Sequence, residues 1–212
     1  MTQELKVEID GWEHGAPIPS KFAFGKIPDE GRFELGGNVN PKISWSGAPA
    51  ETRSFAIICH DPDVPSVGDD VNQEGKSVSV DLPRVDFFHW LLVNIPTDRQ
   101  LIAEGEASSG VTPRGKGAGQ KPYGVAGLNN YTDWFAGDAD MGGDYADYDG
   151  PCPPWNDLAL HHYHFTVYAL DVDHLDLSGK FGGADALAAM DGHVLAKGSY
   201  MGTYSMNPEV TG

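Results

Sequence analysis

Three separated segments of this 212-residue chain set polar side chains beside rigid prolines or inside apolar strands. Asp61-Pro62-Asp63-Val64-Pro65 follows one apolar run. Phe87-Phe88-His89-Trp90-Leu91-Leu92-Val93-Asn94 holds a single histidine inside another, and Gly150-Pro151-Cys152-Pro153-Pro154 leads to His161-His162-Tyr163. Proline restricts the backbone around such groups, so a carboxylate or imidazole fixed this way loses little entropy on meeting a ligand. Two carboxylates, two or three imidazoles and a phenol on strand ends and stiff turns suit a pocket for a small anion or zwitterion. No Gly-x-Ser-x-Gly elbow marks a nucleophile. The enzymatic alternative is a cryptic hydrolase using Asp61 and His89 as an acid–base pair.

Strand alternation puts Phe87, His89 and Leu91 on one face and Phe88, Trp90 and Leu92 on the other. Asp61 is the carboxylate expected to orient the His89 ring and hold one tautomer. By the same alternation His161, Tyr163 and Phe165 share a face. His161 and Tyr163 are therefore expected to converge with Asp61 and His89, while His162 and His164 point elsewhere.

Other signals carry less. Gly110 to Gly117 comes close to a phosphate-binding loop, but Gly117 stands where Ser or Thr should hold Mg²⁺. Asp138 to Asp149 imitates part of a calcium loop without its glutamate or its flanking helices. His161-His162-x-His164 lacks zinc spacing, because neighbours on a strand diverge. No cofactor and no metal are expected.

The elements that must position these groups read mostly as short strands. Runs at 21–24, 42–45, 54–60, 87–95 and 162–170 are bounded by Gly, Pro, Asp or Asn. Two long loops, 66–86 and 103–150, interrupt them, and loops of that length are usually functional or hide structure. Leu187, Met190, Val194 and Leu195 recur at helical spacing and predict a helix over 184–197, capped at Lys197-Gly198.

With 14 Lys and Arg against 31 Asp and Glu the net charge is −17. That excludes phosphate-driven nucleic-acid binding, which needs a basic face. No basic leader with an apolar core opens the sequence, and no apolar run approaches a membrane span. A cytoplasmic protein is expected, with Cys59 and Cys152 as free thiols. The aromatic residues dispersed through 103–150 suit a two-fold homodimer interface.

Asp-Pro-Asp-x-Pro, a strand with His-Trp-Leu-Leu-Val-Asn, Gly-Pro-x-Pro-Pro and a His-x-Tyr strand occur here in that order. Together they resemble the phosphatidylethanolamine-binding protein family, and more narrowly its bacterial Raf kinase inhibitor-like branch. The resemblance runs from about Phe22 to Tyr204. It implies one domain over 1–212 with its core at about 20–206. The implied fold is mainly β, a sandwich of antiparallel sheets with a few peripheral helices, one near the C-terminus. It also implies a pocket for phosphate, phosphoethanolamine or carboxylate groups at Asp61, Asp63, Phe87, His89, Gly150, Pro151, His161 and Tyr163, with no catalysis. A regulatory role on a protein partner such as a kinase or protease is the further expectation from the family.

Overall fold

The computed structural model describes residues 3–177 and 179–210. Twelve strands are formed among them: β1 (Gln3–Glu4), β2 (Lys6–Ile9), β3 (Gly25–Lys26), β4 (Glu34–Leu35), β5 (Ile43–Ser46), β6 (Ser54–Pro65), β7 (Arg84–Pro96), β8 (Leu101–Ile102), β9 (Gly119–Lys121), β10 (Gly124–Ala126), β11 (His161–Leu170) and β12 (Val194–Tyr204). Two helices accompany them, α1 (Tyr131–Trp134) and α2 (Gly183–Met190). The main sheet has the order β1-β12-β11-β6-β7-β10-β9, and a smaller sheet has the order β2-β5-β8. Strand β1 runs parallel to β12, and the main sheet's other neighbours are antiparallel. This is the expected mainly β sandwich.

Alternation along the central strands builds two cores. Phe55, Ile57, Trp90, Leu92, Phe165 and Val167 face the small sheet, where Val7, Ile9, Ile43 and Trp45 meet them. Ala56, Ile58, Leu91 and Val93 face the other way and are covered by Leu175, Phe181, Ala186 and Met190 from α2 and the segment before it. Both faces of β6 and β7 are thus buried, which explains their nearly unbroken apolar runs. The packed body also includes Leu5, Val7 and Ile9, upstream of residue 20.

Several elements differ from the sequence expectation. Residues 21–24 do not form a strand: Pro19 opens a 3-10 turn over Ser20–Phe22, closed by the Phe22 amide donating to the Pro19 carbonyl. The Asp-Pro-Asp-Val-Pro run is not a turn but the far end of β6, still paired with β7 through a register shift between Asp61 and Val64. A bulge there lets strand continue past prolines that cannot donate to a ladder.

The helix expected over 184–197 stops at Met190. Gly192, at φ +82°, makes the turn, and Val194 begins a strand that pairs along the whole of β11. Gly198 is therefore no cap. A Cβ there would lie 2.1 Å from the Leu5 carbonyl oxygen, so glycine lets the N-terminal segment pack against β12. The 103–150 segment contains β8's neighbour turns, β9, β10 and α1 rather than open loop. No helix among the described residues is long and apolar enough to cross a membrane.

Candidate functional site

At one end of the main sheet, on the face of the small-sheet core, lies a cavity of about 340 Å³. Asp61, His89, His161 and Tyr163 form its polar floor and Phe87 stands beside them. They arrive from three adjacent strands, β6, β7 and β11. His161 and Tyr163 point the same way, as alternation requires, and both are fully buried.

His89 needs a different explanation. Cys59 pairs with Trp90 but His60 pairs with Phe88, so β7 carries an extra residue at His89. This bulge breaks the simple alternation. Leu91 packs in the helix-side core. The His89 ring instead lies 4.9 Å from Phe87 and 5.2 Å from Tyr163, centroid to centroid. Re-aiming one side chain is what a bulge does in a regular sheet.

The hydrogen bonds fix which nitrogen carries which proton. His89 Nδ1 lies 2.8 Å from the Asp149 carbonyl oxygen, which can only accept, so Nδ1 carries the hydrogen. Nε2 makes no hydrogen bond among the described residues and keeps its lone pair. Burial pushes the His89 pKa down to about 4. His89 is therefore a neutral ring near pH 7.

Asp61 does not orient His89. Its Oδ2 accepts from His161 Nδ1 at 2.6 Å, and its Oδ1 accepts from the Asp63 amide at 2.8 Å. The other His161 nitrogen, Nε2, donates to Asp157 Oδ2 at 3.1 Å. Burial disfavours an imidazolium there, but the hydrogen bonds to Asp157 and Asp61 outweigh it and raise the His161 pKa to about 9. Arg84 grips Asp157 from behind at 2.6 and 3.0 Å. Burial opposes the Asp157 charge, yet the bonds from His161, Arg84 and the Ala159 amide hold its carboxyl below the usual range. The row Asp61–His161–Asp157–Arg84 thus alternates in sign and uses both imidazolium protons.

Tyr163 completes the floor. Its hydroxyl is buried and has no hydrogen-bond partner among the described residues. Burial, with Asp61 nearby, pushes this phenol well above its ordinary pKa. A buried hydroxyl lining a cavity without a partner is costly unless an occupant satisfies it.

The walls are aromatic. Phe24 stacks on Tyr131 at 4.5 Å, Tyr131 stands edge-on to Phe87 at 5.2 Å, and Phe135 stacks on Tyr131 at 5.9 Å. Two rings at the mouth remain open to solvent, Phe33 at 51% and Trp134 at 54% exposure. The 66–82 segment supplies Val67, Gly68, Val71 and Asn72 to another wall. Asn156 ties it down: its Nδ2 donates to the carbonyls of Asp70, Gln73 and Lys76, and its Oδ1 accepts from the Asn72 amide.

Of the eight residues expected at the site, the structure gathers five around the cavity: Asp61, Phe87, His89, His161 and Tyr163. Asp63 turns its carboxylate to the amide and ring of His162, at 2.9 and 2.8 Å. Gly150 and Pro151 act through their backbones. The Gly150 amide donates to Asn38 Oδ1, the Gly150 carbonyl accepts from the Tyr131 hydroxyl, and the Pro151 carbonyl accepts from the amides of Phe24 and Gly25. A Cβ at Gly150 would lie 2.0 Å from the Phe22 carbonyl oxygen, so only glycine fits.

Residues missed in the sequence include Asp157 and Arg84, which clamp His161. Asp157 stands four residues before His161, a spacing that becomes readable only once the intervening chain is known to curl back. Lys116, from the phosphate-loop lookalike, has another use: it pairs with the fully buried Asp149 at 2.7 Å. Asn38 and Asn129 take up the rest of that carboxylate, and the Asp149 backbone carbonyl holds His89. In the calcium-loop lookalike, Asp138 Oδ1 accepts from the amides of Asp140 and Met141, an acidic turn closed on itself. Both cysteines are free.

The chain has relatives among known proteins. The family model described as phosphatidylethanolamine-binding protein matches residues 8–205. A UPF0098 protein of Methanothermobacter thermautotrophicus is 34% identical over 181 residues, covering 85% of this chain and 91% of that one. The UPF0098 protein YbhB of Escherichia coli is 29% identical over 201 residues, covering 95% and 100%. Among solved structures, Escherichia coli YbcL, described as a member of the mammalian phosphatidylethanolamine-binding protein family, matches with a TM-score of 0.67 at 25% identity, covering 95% of this chain and 98% of that one. A homologue from Chlamydia trachomatis matches with a TM-score of 0.64 at 27% identity, covering 96% and 99%. On the extent of these matches, the chain belongs to the phosphatidylethanolamine-binding protein family.

Proposed function

We propose that this protein binds a small polar-headed ligand in the cavity above Asp61, His89 and Tyr163, without chemistry, and that occupancy regulates a protein partner. The observation that carries the reading is the buried, unpartnered Tyr163 hydroxyl on the floor of an aromatic-walled cavity. Of the ligand classes expected from the sequence, a phosphoethanolamine-like zwitterion fits better than bare phosphate or carboxylate. Asp61 repels an anion placed on the floor, and an ammonium on the ligand compensates that repulsion.

Calorimetric titration of phosphoethanolamine and of inorganic phosphate into wild type and His89→Ala tests this. Saturable binding of phosphoethanolamine that is lost in the variant supports the pocket reading. No binding of either compound by wild type refutes it.

A further inference from the structure

The opposite face of the main sheet carries a second group of polar rings, away from the cavity. His60 of β6 and His164 of β11 are direct partners in the antiparallel register. Ala56 and Ile58 precede His60 on the same face, and Tyr168 follows His164, all packed on the helix side. The two strands lie side by side within the sheet, with β7 beyond one and β12 beyond the other. Neighbours on both sides hold such a pair in place, and the Cβ atoms of a direct pair stand about 4.5–5.5 Å apart.

The two imidazoles stack with 5.4 Å between centroids and 25° between planes. Both are half-buried, and neither ring makes a hydrogen bond among the described residues. Burial, with the rings of His60 and His162 nearby, lowers the His164 pKa and favours the neutral form, which has a lone pair to give. The spacing suits a shared ion. An ion about 2.0–2.1 Å from one nitrogen of each ring lies about 3.2 Å from each ring centre, and a tetrahedral angle then sets the centres about 5.2 Å apart.

His162 lies two residues before His164 on the same face. Its Nδ1 is 2.8 Å from Asp63 Oδ2, so in the neutral ring Nδ1 carries the hydrogen and Nε2 keeps the lone pair. A carboxylate behind an imidazole is the common support of a metal-binding histidine. No group of three His, Cys, Asp or Glu side chains among the described residues is placed to hold an ion together. Two rings therefore hold it, with water in its other positions and His162 beside them. Imidazole donors select Zn²⁺, Ni²⁺ or Cu²⁺ over Mg²⁺ and Ca²⁺, and the net charge of −17 draws cations to the surface.

We infer that His60 and His164 form a two-imidazole site for a divalent transition metal on the helix-side face of the main sheet. It stands independently of the ligand proposed for the cavity. The His161-His162-x-His164 run does not display it in sequence, because its first ring turns to the other face and the missing partner comes from β6.

The test titrates Ni²⁺, Zn²⁺ and Mg²⁺ into the untagged, EDTA-stripped chain by calorimetry at pH 7.5. Ni²⁺ and Zn²⁺ are expected to bind saturably at one ion per chain, and Mg²⁺ is not. His60→Asn and His164→Asn should each weaken Ni²⁺ at least about tenfold, while His193→Gln, far along the chain on Asp171, should leave it unchanged. On the wild type, substoichiometric Ni²⁺ should broaden the ring proton signals of His60 and His164 before those of His14, His174 and His193, a readout that needs no variant to fold. Absence of saturable Ni²⁺ and Zn²⁺ binding, affinity that survives both asparagine variants, or broadening that begins at another histidine would each overturn the inference.

Discussion

Replacing His89 with glutamine should remove one side of a dome-shaped dependence of stability on pH. The dome comes from two buried histidines displaced in opposite directions. His161 titrates at about 9 in the folded protein and near 6.5 when unfolded. Between those values the folded chain holds a proton that the unfolded chain has lost, so its contribution is whole below pH 6.5 and vanishes as pH rises through 9. His89 titrates at about 4 folded and near 6.5 unfolded. There the unfolded chain takes up a proton first, so stability falls as pH drops from 6.5 toward 4.

At about 1.4 kcal/mol per unit of displacement, each limb amounts to about 3 kcal/mol in full. Stability should fall by about 2 kcal/mol between pH 6.5 and 8.5, and by a similar amount between 6.5 and 4.5. The upper bound of the window avoids Cys59 and Cys152, whose thiols burial raises and which would add to the loss at higher pH. His164, lowered by burial and by His60 and His162, adds to the acid limb in every variant.

Urea unfolding at five pH values measures the dome. NMR titration of the ring carbon protons assigns its limbs. H89Q should flatten the acid limb by about 2 kcal/mol and leave the basic limb unchanged. A profile flat from pH 6.5 to 8.5, an acid limb untouched in H89Q, or a His161 ring titrating near 6.5 would each refute the protonation states assigned to the floor.

Three further outcomes are expected. Lys116→Met leaves the buried Asp149 carboxylate without its cation and should cost about 3–5 kcal/mol in urea unfolding. Asn156→Ala removes the four bonds that tie the 66–77 segment to the pocket wall. It should destabilise by about 1–3 kcal/mol and speed amide exchange at Asn72 and its neighbours before any global opening. Gly198→Ala drives a methyl group against the Leu5 carbonyl oxygen and should cost about 1–3 kcal/mol, read as a lowered thermal midpoint.

The central strands were legible because an unbroken apolar run covered on both faces leaves a plain mark in sequence. Residues 54–60 and 87–95 come close to it, and 162–170 instead shows apolar residues alternating with His162, His164 and Thr166. Residues 194–204 did not stand out, because Leu187, Met190, Val194 and Leu195 keep a helical period across a boundary. Only the Asp191-Gly192 turn and pairing with β11 end it. Likewise Asp61, His89, His161 and Tyr163 stand out as polar groups in apolar surroundings. Their partners did not, since partnership depends on register. The bulge at His89 gives that ring to the Asp149 carbonyl and leaves Asp61 to His161. Asp157 and Asn156 lie in a segment without periodicity, Arg84 opens β7 ahead of its apolar run, and their roles exist only once the chain folds back.

The pairing of β1 with β12 joins residues from opposite ends of the chain, Gln3 with Ala196 and Glu4 with Lys197. Strand β11, between β6 and β12, supplies two of the floor's polar groups. During synthesis from the N-terminus, β11 emerges well before residues 194–204. Until they arrive, Phe165 and Val167 sit on a strand whose hydrogen-bonding edge is open, the kind of edge that templates aggregation. Residues 194–204 must emerge before the sheet, and with it the polar floor of the cavity, can close. A chain stalled or cleaved between α2 and β12 would therefore be a hazard rather than a partly working protein.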